Sequence, residues 1–353
     1  MVVEVGVDVY KDTRCAVAVN QAGAQLGKPV TVPATDAGHL QLLRWAQREH
    51  GQGAELEFAV EDCRHVSTRL ERALLAAGQR VRRVPPKLMA QTRTSARTRG
   101  KSDPIDALAI ARAAVREPNL PVAEHTHASR EIKLLVDHRE DLVGTRTQVQ
   151  NRLRWHLHEL DPGIDPKPRC LDSTRELDRV QQRLEQLPAG TVRRIALEQV
   201  ADIRELTRRV RALEKELTAL VKAQAPQLLE LPGCGVLSAA KLIGETANPT
   251  RFRSEACFAM HSGVAPIPAS SGRTIRHRLA RGGNRQLNTA LHRIAVTQIR
   301  LDGVGRIYYQ RRLASGDTKM EALRVLKRRL ARIVFNTLRP LDDTAAACLP
   351  LAS

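Results

Sequence analysis

VVEVGVDVYKDTRCAVAVN, residues 2–20, decides how the rest of the chain is read. Val3, Val5, Val7 and Val9 alternate with Glu4, Gly6 and Asp8, the period-two pattern of a strand. A polar turn and a second apolar run follow, so the chain opens with two β runs. An aspartate inside a buried strand is costly unless something pairs with it, which makes Asp8 the first residue to explain. Downstream, PVTVPA (29–34) reads as a third strand and Asp36 to Glu49 as a helix. AELEFAVEDC (54–63) is a buried strand ending in acids, STRLERALLAAG (67–78) a helix closed by Gly78, and QRVRRVPP (79–86) a short strand stopped by prolines. A further helix starts near Asp103. That order predicts a mixed α/β layer.

The whole chain has 353 residues, enough for two or three domains, and carries a formal net charge of +19. Such a balance favours a polyanionic partner. No apolar run approaches a spanning helix and no signal peptide opens the sequence, so nucleic acid is expected rather than membrane. The six cysteines are scattered without a C-x-x-C, which predicts reduced thiols, a cytoplasmic setting and no zinc site. The histidines form no metal-ligand spacing. Aromatic residues make up only 3%, which argues for backbone contacts by Arg and Lys over base stacking.

Between about Ser129 and Ala223 the pattern turns helical. Val200, Ile203, Leu206, Val210, Leu213, Leu217 and Leu220 recur at steps of three and four. They fit either a hairpin packed on its own domain or a coiled coil between subunits. LLELPGCGVLSAAKLIGET (228–246) reads as helix, glycine turn, helix. It resembles a helix-hairpin-helix, in which Gly233 and Gly235 let backbone N–H groups approach a phosphate; a plain glycine turn is the alternative. Ala256 to Leu301 holds seven arginines and no acid, and Arg80 to Lys101 holds eight basic residues and no acid. The second run, with Arg93, Arg97, Arg99 and Lys101, reads as a path for a nucleic-acid backbone, or as a solvated basic face.

Carboxylates gather at three places: Asp8 in the first strand, Glu61 at the end of LEFAVE, and Asp103 with Asp106 in KSDPIDALAIA. The last pair, three apart at a helix start, suits capping. It also suits a hard divalent cation, since i and i+3 share a helix face. On these elements the acids fit the cluster of a ribonuclease-H-like nuclease with two metal ions.

GVDVYKD, VED, KSDPIDALAIA and HSGVAPIPASSGRTIRHRLARGGNRQLNTAL together resemble the IS110/IS1111 family of insertion-sequence transposases, with Piv-type invertases as relatives. The resemblance implies a RuvC-like α/β domain at 1–125, a helical coiled-coil or linker region at 126–225, and a mainly α-helical transposase domain at 226–353 with the helix-hairpin-helix. It implies a D-E-D-D tetrad of Asp8, Glu61, Asp103 and Asp106 holding Mg²⁺ or Mn²⁺, and a nucleophilic serine at Ser270, with Ser271 as the neighbouring choice. The family often has a second glycine after that turn where this chain has Arg273. It implies DNA cutting and rejoining through a phosphoserine, donor and target double-stranded DNA, a guide RNA from the element, a homo-oligomer (dimer or tetramer), and work at the bacterial nucleoid. Arg273, Arg276, Arg278 and Arg281 are placed to neutralise phosphate charge. A DNA invertase, a metal-only junction resolvase and a non-catalytic nucleic-acid-binding protein are the alternatives.

Overall fold

The computed structural model describes residues 2–62, 66–95, 100–117, 119–123, 127–167, 169–270, 272, 277–280 and 282–339. The chain divides into two compact units, one of residues 1–125 with 248–261, the other of 126–247 with 262–353. The sequence boundary at 225/226 has no counterpart in this division.

The first unit contains β1 (Val2–Val9), β2 (Thr13–Val19), β3 (Gln25–Pro33), α1 (Asp36–His50), β4 (Glu55–Glu61), α2 (Thr68–Ala76), β5 (Arg80–Val84), α3 (Pro86–Thr94) and α4 (Asp103–Arg116). Its five strands lie in the order β3-β2-β1-β4-β5. The first three are mutually antiparallel, while β1, β4 and β5 run parallel. This is the order and polarity of a ribonuclease-H-like sheet. The alternation in β1 separates its two faces. Val3, Val5, Val7 and Val9 join Leu42, Trp45, Phe58, Leu70 and Leu74 in a core under α1 and α2. The opposite face, carrying Glu4, Gly6 and Asp8, lies under α4, whose Ala107 and Ala111 pack with Cys15, Val17 and Val19. An alanine-rich helix face is what lets α4 sit this low. A Cβ on Gly6 would fall 2.2 Å from the Ala107 carbonyl oxygen and 2.5 Å from the Ala111 nitrogen.

The second unit is built on α5 (His127–Leu160), α6 (Thr174–Glu185) and α7 (Thr191–Gln224). Arg139 bonds Glu214 at 2.6 Å, Arg146 bonds Thr207 at 3.3 Å and His156 meets Gln199 at 2.9 Å, so α5 and α7 run antiparallel along each other. Ala196, Val200, Ile203, Thr207, Val210, Leu217 and Val221 are the buried residues of α7. Its seam packs against α5 within the chain, as a hairpin. Leu206, Leu213 and Leu220 flank it half-buried. There follow α8 (Gln227–Glu230), α9 (Val236–Thr246), β6 (Pro266–Pro268), β7 (His277–Leu279), α11 (Arg285–Arg300), α12 (Val304–Ala314) and α13 (Lys319–Leu338); α10 (Glu255–His261) belongs to the first unit. Glu245 on α9 ties Lys133 of α5 at 2.5 Å to Asn284, the N-cap of α11, also at 2.5 Å. Among the described residues no helix is long and apolar enough to cross a membrane.

Candidate active site

The ladder between β1 and β4 pairs Val7 with Val60, so its next step brings Asp8 and Glu61 side by side at the same end of two parallel strands. The first turn of α4, with Asp103 and Asp106, covers that end. The other three carboxylates act on Asp8. The Asp8 carboxyl is pushed up to about 6, first by burial and then by the charges of Asp106, Asp103 and Glu61. Four acids from three elements thus converge on one end of the sheet.

The N-terminus of α4 decides between capping and metal binding. Ser102 is the N-cap, without a side-chain cap bond, and Asp103 lies inside the helix as an exposed residue. Asp106 is buried and its carboxylate turns to Arg93 of α3, at 2.7 Å. Neither aspartate is used as a side-chain cap. Among the described residues, however, no three His, Cys, Asp or Glu groups close on a single point. The donor set is all oxygen, suits a hard divalent cation, and carries a mutual repulsion that such a cation would relieve. Arg93 now occupies part of that role.

Several of the basic residues are engaged within the chain. Half of the basic run is structural. Arg80 pairs with Glu57 at 2.8 Å, Arg82 with Glu4 and, at 2.9 Å, with Glu57, and Arg83 with Glu71 at 2.7 Å. These arginines neutralise buried acids, because a carboxylate in the sheet demands a partner. Burial still holds Glu4 up at about 7. Arg93, read as a nucleic-acid contact, belongs to the carboxylate cluster, and α3 itself was not foreseen in the run. Lys101 is exposed; Arg97 and Arg99 lie outside the described residues. The residues missed by sequence reasoning are Gly6 and Arg14. Arg14, buried and paired with Val9 in the strand register, donates to the Tyr10, Thr13 and Val66 carbonyls, the last at 3.0 Å, and feels the charge of Asp8. The signal for Gly6 was a glycine in a run of valines.

In the second unit, β6 and β7 form an antiparallel hairpin pairing Ile267 with Arg278. Ser270 is exposed in its connection, two residues beyond β6. Ser271, Arg273, Arg276 and Arg281 lie outside the described residues; Arg278 is exposed on β7. The glycine turn differs from the expected motif in its first limb, which is the four-residue α8. Gly233 has φ +81, and a Cβ there would press on Thr297 and Ile294 of α11 at 3.0–3.1 Å, so both its backbone conformation and its packing favour glycine. Gly235, the N-cap of α9, faces open space.

A family model described as transposase matches residues 5–162, and one described as transposase of the IS116/IS110/IS902 family matches residues 225–310. The chain is similar to the 43.6 kDa protein of insertion element IS110 from Streptomyces coelicolor, 30% identical over 68% of this chain and 71% of that one. It is similar to the 44.8 kDa protein of insertion element IS116 from Streptomyces clavuligerus, 26% identical over 95% and 94%. The 42 kDa protein of insertion element IS900 from Mycobacterium paratuberculosis is 27% identical over 97% of this chain and 98% of its own. Among solved structures, T. thermophilus RuvC in complex with Holliday junction substrate aligns at 17% identity, covering 33% of this chain and 95% of that one with a TM-score of 0.26. The fold assignment rests on strand order and direction instead.

Proposed function

The chain belongs to the IS110 family of insertion-element transposases, enzymes that cut and rejoin DNA, and from that premise we propose that it does so with two sets of residues, the carboxylates of the first unit and Ser270 of the second. The observation that carries the proposal is the set of three carboxylates whose charge, together with burial, holds Asp8 up at about 6. Asp8, Glu61, Asp103 and Asp106 would hold Mg²⁺ or Mn²⁺. The cation supplies charge neutralisation at the scissile phosphate. The protein's own part is to orient it, with Arg93 paired to Asp106.

Ser270 is the nucleophile of this reading. Its Oγ forms a bond to phosphorus, the bond from phosphorus to the leaving sugar oxygen breaks, the serine proton is given up and the leaving oxygen is protonated. A second strand's hydroxyl reverses the step and releases the serine, so the phosphodiester energy is conserved. Arg278, with Arg273, Arg276 and Arg281, neutralises charge developing on phosphorus. Gly233 and Gly235 present the N-terminus of α9 to a DNA backbone, and Lys101, Arg97 and Arg99 lead the strand to the carboxylates. The substrates are donor and target double-stranded DNA on the bacterial nucleoid. Recognition by a guide RNA, and a dimer or tetramer as the working form, are part of the same proposal.

A nicked suicide substrate tests it. Trapped protein–DNA adduct should map by peptide sequencing to Ser270 and vanish in Ser270→Ala. Adduct on Ser271 would shift the nucleophile by one residue. Recombination by Ser270→Ala without adduct would leave a metal-only nuclease of the resolvase kind. Binding without cleavage by the wild-type protein in Mg²⁺ would leave a non-catalytic DNA-binding protein.

A further inference from the structure

Below the β6–β7 hairpin, α13 closes a cavity of about 450 Å³ within the second unit. That size is within the range of about 300–1,000 Å³ common to small-molecule sites. Val264, Leu279 and Val325 give it apolar walls, and Arg278, Arg324, Lys327 and Arg328 line it with cations. Its two acids are already engaged. Asp317 accepts from Arg312 at 2.7 Å, and Glu321 closes the capping box of α13 with Thr318.

Lys327 is the anomaly. It is 7% exposed, and its ammonium donates to the Asn288 side-chain oxygen at 2.6 Å. The other end of Asn288 is committed, donating to the Ser262 and Gly263 carbonyls at 3.1 and 2.9 Å. Among the described residues Lys327 makes no ion pair. Burial depresses its proton affinity, and its charge adds to the burial that depresses His292 on the neighbouring helix. A buried ammonium held by one neutral amide is expensive, and every other buried cation described above has a carboxylate or several carbonyls. Cations around an apolar-walled cavity match a nucleotide: phosphate for the charges, sugar and base for the walls.

We propose that this cavity receives one nucleotide of the DNA strand, its phosphate taken by Lys327 with Arg324 and Arg328, and so seats the strand beside the hairpin of Ser270. The choice of DNA rests on the reading of Ser270 as a DNA nucleophile; the existence of an anion site does not. The test is binding of fluorescent single-stranded dT6 to the full chain carrying Ser270→Ala, in EDTA and about 150 mM salt, where no cleavage occurs. Lys327→Met should weaken dT6 binding by about tenfold or more, the worth of a charge-assisted bond, and should hold or raise the melting temperature. Arg324→Gln, half-buried at the same wall, should weaken it in the same direction. Inorganic phosphate at millimolar levels should compete with dT6 in the parent and not in Lys327→Met. Unchanged dT6 affinity in Lys327→Met overturns the proposal. If Lys327→Met loses its fold, unchanged affinity in Arg324→Gln overturns it. Loss of rU6 binding with dT6 unaffected would assign the cavity to RNA and overturn the choice of DNA. Failure of the Ser270 adduct assay, with dT6 binding lost in Lys327→Met, would refute the nucleophile and leave the nucleotide site standing.

Discussion

Gly6→Ala is the most informative single change, because one methyl group tests both the fold and the site. The added Cβ would lie 2.2 Å from the Ala107 oxygen, 2.5 Å from the Ala111 nitrogen and 2.7 Å from the Ala111 Cβ, whereas ordinary contact begins at 3.4 Å. The shortfall against the Ala107 oxygen is 1.2 Å, 3.4 less 2.2. Both sides of the clash are backbone, in the central strand and in α4, so no rotamer change relieves it. Over-packing a core costs about 1–3 kcal/mol where side chains can adjust; here the upper end is expected. In urea denaturation Gly6→Ala should therefore lose about 3 kcal/mol, much of a typical domain's stability. The helix that must move carries Asp103 and Asp106. A misplacement of about 1 Å can cost about a hundredfold in rate, so Mg²⁺-dependent cleavage should fall by that order under conditions where the variant is fully folded. Gly144→Ala is the control: exposed on α5, with nothing within 4 Å of its Cβ, it should be neutral or slightly stabilising. An unchanged urea midpoint would mean that α4 does not lie this close to β1. Lost stability with full cleavage would mean that the seating of α4 does not set the carboxylate geometry.

Three further outcomes follow from the same contacts. Arg93→Gln frees the Asp106 carboxylate, so the Mg²⁺ concentration for half-maximal cleavage should change while DNA affinity stays within about twofold, the effect of one lost phosphate contact being larger; a marked loss of affinity with unchanged Mg²⁺ dependence would return Arg93 to the DNA path. Arg82→Met strands Glu4 and Glu57 in the sheet and should destabilise by about 3–5 kcal/mol in denaturant titration, with Arg82→Met/Glu4→Met recovering much of it; a milder single mutant would contradict the burial of the triad. Asp8 has a folded-state pKa of about 6, above its ordinary 3.8, so its protonated form favours the fold: the benefit is complete below the ordinary value and lost as pH rises through about 6. Without divalent cation, the melting temperature of Asp8→Asn relative to wild type should therefore climb between pH 4 and 7. A flat difference would remove the repulsion inferred at Asp8.

The sheet was legible because β1 states both of its faces in alternation, and because Gly78 and the prolines at 85 and 86 punctuate the segments that follow. The acidic positions were legible individually as charges in places where charge is costly. Their mutual distances were not, since these depend on Gly6 admitting α4, a packing relation between residues a hundred positions apart. The arginines of β5 were misread for a similar reason. A run such as RVRR looks like a solvated face until the acids on β1, β4 and α2 are known to lie opposite it. The seam of α7 was read at the right period, yet no sequence period says whether its complement lies in the same chain. Arg139–Glu214 and His156–Gln199 show that part of it does.

Net charge is therefore a poor measure of what this protein offers to DNA. Of the eight basic residues from Arg80 to Lys101, the first three are consumed by Glu4, Glu57 and Glu71, and Arg93 by Asp106. They hold the edge strand and the carboxylate helix in place. Lys327 inverts that pattern, a buried cation left with an amide where the arginines of β5 have carboxylates. Under the proposal above, that cation marks the place where the matching charge comes from outside the chain. The proposed metal site applies the same logic with opposite sign at Asp8, whose carboxyl burial and three neighbouring acids push up. The carboxylate cluster of the first unit is thus a local excess of negative charge and the cavity of the second a local excess of positive, the one suited to a cation and the other to a phosphate.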